Sequence, residues 1–335
     1  MIKNISFLDK NKKYNIFIVR TPFQLINAYE AKEYFQTKNN VLIIIDNGTE
    51  NNKTQLTNLI YDDIWDCIIR FGDNEKTNFF NYVNLIYKLK KIKKEYLFIG
   101  SGFNKMQKIL VANIDSEKTC FFDSGTNTMT TYKDFLESKI NIPALKKLRF
   151  MIFGLKTNIN KNIDFFTMFD LKELPRNKIF KNEYKFMKAK FGDGHNLVGD
   201  EIYIIGQRFV DADILDEEKY FAFLDNVIEK YQSHKINYLM HRTETKEYLI
   251  NNAYDTKLNI IQSTMPGELF FLSLPNQPKY VIGTISTLIV SLKYILKNTE
   301  VIAYRFNMND FKKNKDLYQL EYDNMRKNNI LLENI

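Results

Sequence analysis

The chain has 335 residues, 44% hydrophobic and 26% charged, which fits a folded globular protein and excludes a disordered or collagen-like one. Domains usually hold about 100–200 residues, so this length predicts two of them. A net charge of +8 favours anionic partners (nucleotides, phosphorylated glycans, nucleic acid or a membrane surface) without choosing among them.

Two cysteines, Cys67 and Cys120, are too few for a disulfide framework and read as buried thiols of a reducing, cytoplasmic protein. No CxxC or HExxH pattern occurs and the three histidines are few for a metal enzyme, so neither a metal nor a cofactor is expected. Residues 1–13 are polar and lysine-rich with no apolar signal-peptide core. No run approaches the ~20 apolar residues that span a bilayer.

In chain order, Asn15–Val19 reads as a buried parallel strand, and Thr21-Pro22 opens a helix that continues to about Phe35. Val41–Asp46 is a second strand. Phe79–Lys94 is a helix with Phe79, Tyr82, Val83, Ile86 and Leu89 on one face. Tyr96–Ile99 is a strand, Asn104–Asn113 a helix and Thr119–Phe122 a strand that ends in Asp123-Ser124-Gly125. From Asn141 the pattern loosens, with a turn at Gly192-Asp193-Gly194. A second alternation starts with the strand Ile202–Ile205, closed by Gly206-Gln207. Asp216 reads as the cap of a helix whose Phe221, Leu224, Ile228 and Tyr231 form a stripe. Strand Ile236–Met240 delivers His241-Arg242, and helix Thr245–Asn252 and strand Leu258–Ile261 follow. Gly267–Leu272 is a short helix, and strand Tyr280–Ile282 closes at Gly283 before helix Thr287–Leu296. Strand Glu300–Tyr304 and helix Leu317–Asn328 complete the series.

This order predicts an α/β protein with two Rossmann-like, parallel-sheet domains facing a central cleft. The expected N-terminal domain is 1–150, an interdomain region 151–199 and the C-terminal domain 200–335.

Loops at the carboxyl ends of parallel strands form ligand crevices, and three polar groups lie at such ends: Asp123, His241 and Ser286-Thr287. Each has a structural reading as turn former, satisfied histidine and helix cap. Each also has a chemical one. A helix N-terminus with two hydroxyls binds phosphate, a histidine donates a hydrogen bond or proton to a leaving phosphate, and a carboxylate takes the proton of an attacking hydroxyl. Together they suit glycosyl transfer with inversion and without a metal.

FFDSGTNTMTTYKDF resembles the acidic-acidic-glycine motif of bacterial sialyltransferases with the two-domain GT-B fold. INYLMHRTE is similar to their His-Pro motif, which in the lipooligosaccharide sialyltransferases of glycosyltransferase family 52 sits within His-Pro-Arg-Glu. MPGELFFLSLPNQPKYVIGTISTLIVSL resembles the segment that holds their glutamate and Ser-Ser or Ser-Thr pair, and IVRTPFQLINAYEA resembles the opening strand and helix of this group and its polysialyltransferase relatives. The resemblance implies roles: Asp123 as general base, His241 as general acid or phosphate partner, Glu268 on ribose hydroxyls, Ser286 and Thr287 on phosphate, and Gly206-Gln207 beside the nucleotide. It implies transfer of sialic acid from CMP-sialic acid to a cell-surface glycan. Two departures stand out: Ser124 replaces the second acid, and Arg242 replaces the proline after histidine. A flexible cation there suits a diphosphate, so a UDP-hexose donor is the alternative. A third, remote reading is a non-catalytic nucleotide- or nucleic-acid-binding protein, but no nucleic-acid-binding motif accompanies the charge, and no nucleic-acid partner is expected.

ALKKLRFMIFGL (144–155) places Leu145, Leu148, Ile152 and Leu155 on one stripe beside Lys146, Lys147 and Arg149. Such a stripe is either a docked helix with a wet face or a helix lying on the inner face of an anionic membrane, where a lipid-linked acceptor would be met.

Overall fold

A computed structural model of the chain describes residues 8–61, 63–72, 75–100, 105–136, 144–159, 161–191 and 197–335. It divides into two compact units, Met1–Asn182 and Glu183–Ile335.

The first unit runs β1 (Lys13–Val19), α1 (Pro22–Tyr34), β2 (Asn40–Asp46), α2 (Glu50–Leu59), β3 (Cys67–Gly72), α3 (Glu75–Lys90), β4 (Lys93–Gly100), α4 (Lys105–Asn113), β5 (Lys118–Phe122), α5 (Asn127–Leu136), α6 (Ala144–Ile152), β6 (Asp164–Thr167) and β7 (Ile179–Lys181). The sheet order is β3-β2-β1-β4-β5-β6-β7, every pair parallel. The interior strands are buried on both faces, which is why NIFIV, VLIII and TCFF are unbroken apolar runs rather than alternating ones. Helix α1 starts as its sequence dictates: Pro22 lies in the first turn and Thr21 accepts the Gln24 N–H at 3.3 Å. The five apolar residues expected on one face of α3 are all buried.

The second unit runs α7 (Lys185–Phe191), β8 (Glu201–Ile205), α8 (Glu217–Lys230), β9 (Lys235–Leu239), α9 (Glu247–Asn251), β10 (Asn259–Ile261), α10 (Gly267–Ser273), β11 (Tyr280–Gly283), α11 (Thr287–Ile295), β12 (Glu300–Arg305), α12 (Lys315–Lys327) and β13 (Leu331–Asn334). Its parallel sheet has the order β10-β9-β8-β11-β12-β13. Two Rossmann-like parallel-sheet units in one chain are the make-up of the GT-B fold.

Several expectations shift. Segment 151–199, read as interdomain, is shared out: β6 and β7 extend the first sheet, and α7 belongs to the second unit, where Lys188 Nζ donates to the Tyr294 carbonyl at 3.2 Å. The turn expected at Gly192-Asp193-Gly194 lies outside the described residues. Asp216 stands at the N-cap position of α8, yet its carboxylate pairs with Lys312 at 2.7 Å instead of capping the helix. The buried stripe of α8 is Tyr220, Phe223, Leu224 and Val227, rotated from the expected one because Phe221 and Ile228 lie at its margin. Among the described side chains of α6 the buried one is Phe150, packed on Phe79, whereas Leu148 and Ile152 face outward; Leu145 lies outside the described side chains.

Candidate functional site

In each sheet the strand order reverses direction once, at β1/β4 in the first unit and at β8/β11 in the second. At such a point adjacent connections leave on opposite faces, and the loops beyond the carboxyl ends open a crevice. The residues singled out in the sequence gather at these two edges.

At the first edge, Asp123 directly follows β5. The turn after it depends on Gly125, whose φ of +74° favours glycine, and it is closed by Thr128 N–H donating to the Gly125 carbonyl at 2.9 Å. Ser124 N–H donates to Thr128 Oγ1 at 3.0 Å. The Asp123 carboxylate points inward: it is 0% exposed, accepts the Thr167 hydroxyl at 2.6 Å on one oxygen, and accepts the Met168 N–H at 2.7 Å on the other. The acid therefore straps the end of β5 to the end of β6. Burial pushes its pKa up to about 7, against the hydrogen bonds from Thr167, Met168 and Thr128 and the charge of Lys181. Ser124 is tied to the first turn of α1 and through it to the β1–α1 loop: Gln24 Nε2 donates to Ser124 Oγ at 2.5 Å, while Gln24 Oε1 accepts the Arg20 N–H at 2.7 Å. Gly100, at the end of β4, leaves room for that glutamine, since a Cβ there would overlap its amide.

At the second edge, Gly206-Gln207 ends β8, His241-Arg242 follows β9 and Ser286-Thr287 follows β11. These are three neighbouring strands, spaced about 4.8 Å apart. A buried carboxylate absent from the sequence reading, Glu244, organises the β9 loop. It accepts the His241 N–H at 2.8 Å, the Tyr238 hydroxyl at 2.6 Å and the Tyr248 hydroxyl, while its own N–H donates to the His241 carbonyl at 2.9 Å. Tyr220 adds a hydroxyl–hydroxyl bond to Tyr238 at 2.7 Å. Burial raises Glu244 to about 7 despite these donors. Gly206 is required by this network, because a Cβ there would overlap Glu244 and press on the Tyr238 ring.

The His241 imidazole accepts the Thr243 N–H at 3.3 Å on Nδ1, with Thr243 Oγ1 at 3.0 Å, which leaves its proton on Nε2. Burial, then the charges of Arg242 and Arg208, lower its pKa to about 4. At neutral pH it is thus a neutral hydrogen-bond donor through Nε2 rather than a proton donor. Arg208, one residue past the expected Gly206-Gln207 pair, and Arg242 are both exposed, so the loops of β8 and β9 place two cations around this ring.

Ser286 is the N-cap of α11 and accepts the Leu288 N–H at 3.2 Å; Ser286 and Thr287 are both partly exposed. Gly283 serves packing rather than an open approach to a ligand, since a Cβ there would press on Ile289 and Ile205. Glu268, in the first turn of α10, is buried and accepts the Ser291 hydroxyl at 2.8 Å, so it links α10 to α11; burial raises its pKa.

Of the residues expected from the sequence, the first unit thus holds Asp123, and the second gathers Gly206, Gln207, His241, Arg242, Ser286 and Thr287 at one sheet edge with Glu268 beneath α11. The sequence reading missed Gln24, Thr167, Glu244 and Arg208. Glu244 had a signal, because His-x-x-Glu has the reciprocal spacing of a capping box. Thr167 had none.

No protein-family profile matches the sequence, and no curated protein matches it. Among solved structures, the chain is similar to the UDP-GlcNAc 2-epimerase of Methanocaldococcus jannaschii in complex with UDP-GlcNAc and UDP, at TM-score 0.51 and 12% identity over 96% of this chain and 89% of that one. It is also similar to S. aureus MnaA in a co-structure with UDP, at TM-score 0.53 and 10% identity over 94% and 88%. Acinetobacter baumannii MurG aligns at TM-score 0.46 and 9% identity over 96% and 86%. At these identities the likeness is one of fold.

Proposed function

We propose that this protein is a glycosyltransferase that takes a nucleotide-sugar donor and passes its glycosyl group, with inversion, to a hydroxyl of a glycan. The observation that carries the reading is the second edge: a neutral Nε2–H donor, two arginines and a capped helix N-terminus lie on the loops of three adjacent strands around a topological switch point. That is a set of groups for a phosphate that gains negative charge as its bond to sugar breaks. The UDP held by two fold neighbours supports a nucleotide ligand.

In this reading the first edge serves the acceptor and the second edge serves the donor. The acceptor hydroxyl gives its proton to Asp123 as its oxygen attacks the anomeric carbon, and the bond from that carbon to the phosphate oxygen breaks. His241 Nε2–H, the α11 N-terminus with Ser286 and Thr287, and Arg242 meet the charge left on phosphate. Gly206-Gln207 lines the nucleoside, and Glu268 reaches ribose through the oxygen that Ser291 does not take. The raised pKa of Asp123 suits a base working near neutral pH. The role also asks the 123–126 turn to release one oxygen from Thr167 or Met168, a rearrangement compatible with catalytic hydrogen bonds that form only in the loaded enzyme.

By its sequence motifs the donor is CMP-sialic acid. A UDP-hexose is the second reading, favoured by one observation: Arg208 joins Arg242 beside His241, a pair of cations suited to a diphosphate. Thermal unfolding with CMP, UDP and their sugars separates the two, since the ligand that binds the native state raises Tm. Product analysis with the stabilising donor then tests transfer. If no nucleotide shifts Tm, the transferase reading is lost.

A further inference from the structure

The outward face of α6 has no use in the reaction above, and it is apolar. Leu148, Met151 and Ile152 are 64%, 60% and 73% exposed, and Phe80 on α3 is 69% exposed. They form one surface: Phe153 lies 5.9 Å from Phe80 ring to ring, and the Tyr87 hydroxyl donates to the Phe153 carbonyl at 2.6 Å. Beneath it the structure is firm, with Phe150 buried and the Arg149 guanidinium stacked 3.6 Å over the Phe79 ring. A cluster of large exposed apolar side chains of this kind marks an interaction surface.

Charge selects the partner. In the sequence, stretches 76–94 and 138–163 hold 12 of the 48 Lys and Arg and none of the 40 Asp and Glu. The rest of the chain therefore has 36 cations for 40 acids, so the positive balance of the sequence falls in the two stretches that include α3 and α6. On α3 and α6 and just past α3, Lys90, Arg149 and Lys91 are exposed, and Lys90 Nζ stands 5.6 Å over the ring of the exposed Tyr87. Aliphatic side chains, aromatic rings and lysines in that arrangement suit the interface of an anionic bilayer, where the first enter the acyl boundary and the last meet the headgroups. A second copy of the chain is a poor occupant, since two such faces would bring like charges together. Among the described residues no helix is long and apolar enough to cross a membrane, so the contact is lateral.

We propose that the α3–α6 face of the first unit seats the protein on an anionic lipid surface, with Leu148, Met151, Ile152 and Phe80 entering the interface. Helix α3 begins three residues after the carboxyl end of β3, the same end of the sheet at which Asp123 follows β5, and Phe80 lies in its second turn. The inference is independent of the donor.

The test is co-sedimentation of the full chain, without substrate, with phosphatidylcholine vesicles and with vesicles containing about 30% phosphatidylglycerol. The expected result is at least about tenfold stronger partitioning to the anionic vesicles, weakened by salt. Leu148→Gln/Met151→Gln/Ile152→Gln should lower it about tenfold at unchanged Tm, because these side chains are already in water. Lys90→Gln/Lys91→Gln should weaken only the anionic preference, and it stands as a second variant. Equal partitioning of wild type and the triple variant, or a homodimer in ultracentrifugation that the triple variant dissolves, would overturn the proposal.

Discussion

Both sheet edges contain a buried carboxylate whose pKa stands at about 7, but the two are used differently. In the second unit the carboxylate and the candidate phosphate partner are separate residues: Glu244 fixes the loop through the His241 N–H, and the imidazole keeps its proton on Nε2. In the first unit a single residue, Asp123, is both the strap between β5 and β6 and the candidate base. A group that only holds structure and a group that reacts fail differently when changed, and that difference can be measured.

The largest effect is expected at Asp123. If it accepts the acceptor's proton, Asp123→Asn lowers the transfer rate by about 10²–10⁴-fold while nucleotide affinity stays within about twofold. Full turnover in that variant would reduce Asp123 to a strap. His241→Ala should cost about 10²–10³-fold in rate and, unlike the Asp123 variant, weaken nucleotide binding as well. Steady-state kinetics with binding titrations distinguish the two.

Next comes Glu244→Ala, which leaves the His241 N–H and two tyrosine hydroxyls without their acceptor. A stability loss on the order of 2–4 kcal/mol follows, read by urea unfolding. Nucleotide affinity falls with it, because the loop that carries His241 loosens.

The two carboxylates also predict a pH dependence. Each binds its proton more tightly folded than unfolded, so between about pH 4 and pH 7 the native state holds more protons and stability falls as pH rises. His241, lowered to about 4, acts in the opposite sense up to its ordinary value near 6.5. Asp123→Asn and Glu244→Gln should each flatten the falling limb, and a double variant should flatten it further. The smallest effects belong to the helix caps. Thr21→Ala and Ser286→Ala should each cost about 1 kcal/mol of stability, but only Ser286→Ala should weaken nucleotide binding.

The alternation of strand and helix was legible because interior parallel strands are unbroken apolar runs and helices such as α3 carry a full buried face. The reading passed over β3 (CIIRFG) and α5 (NTMTTYKDFL), and other elements escaped because they are short or polar. Glu50–Leu59 (ENNKTQLTNL) buries Asn52 and Gln55 along with Leu56 and Leu59, so its inner face does not read as apolar. Strands β6, β7 and β13 have four, three and four residues, too few to show a period. In α6 the apolar stripe was visible but its direction was not, since periodicity says which residues share a face and nothing of whether that face meets a core. At the site, residues following strands were identifiable from the strand ends themselves. Thr167 was not, because its partnership with Asp123 spans 44 positions and is made only when β5 and β6 pair.

The glycines around α11 restrict what engineering can change. Gly283 lets the helix press onto β11, and Gly267 lets α10 press onto Leu288 of the same first turn. The turn that carries Ser286 and Thr287 is wedged from two sides and has no slack. If this edge holds the donor as proposed, a redesign for a bulkier one has to trim side chains on the β8 and β9 loops, because shifting this helix would first require two notches to be recut.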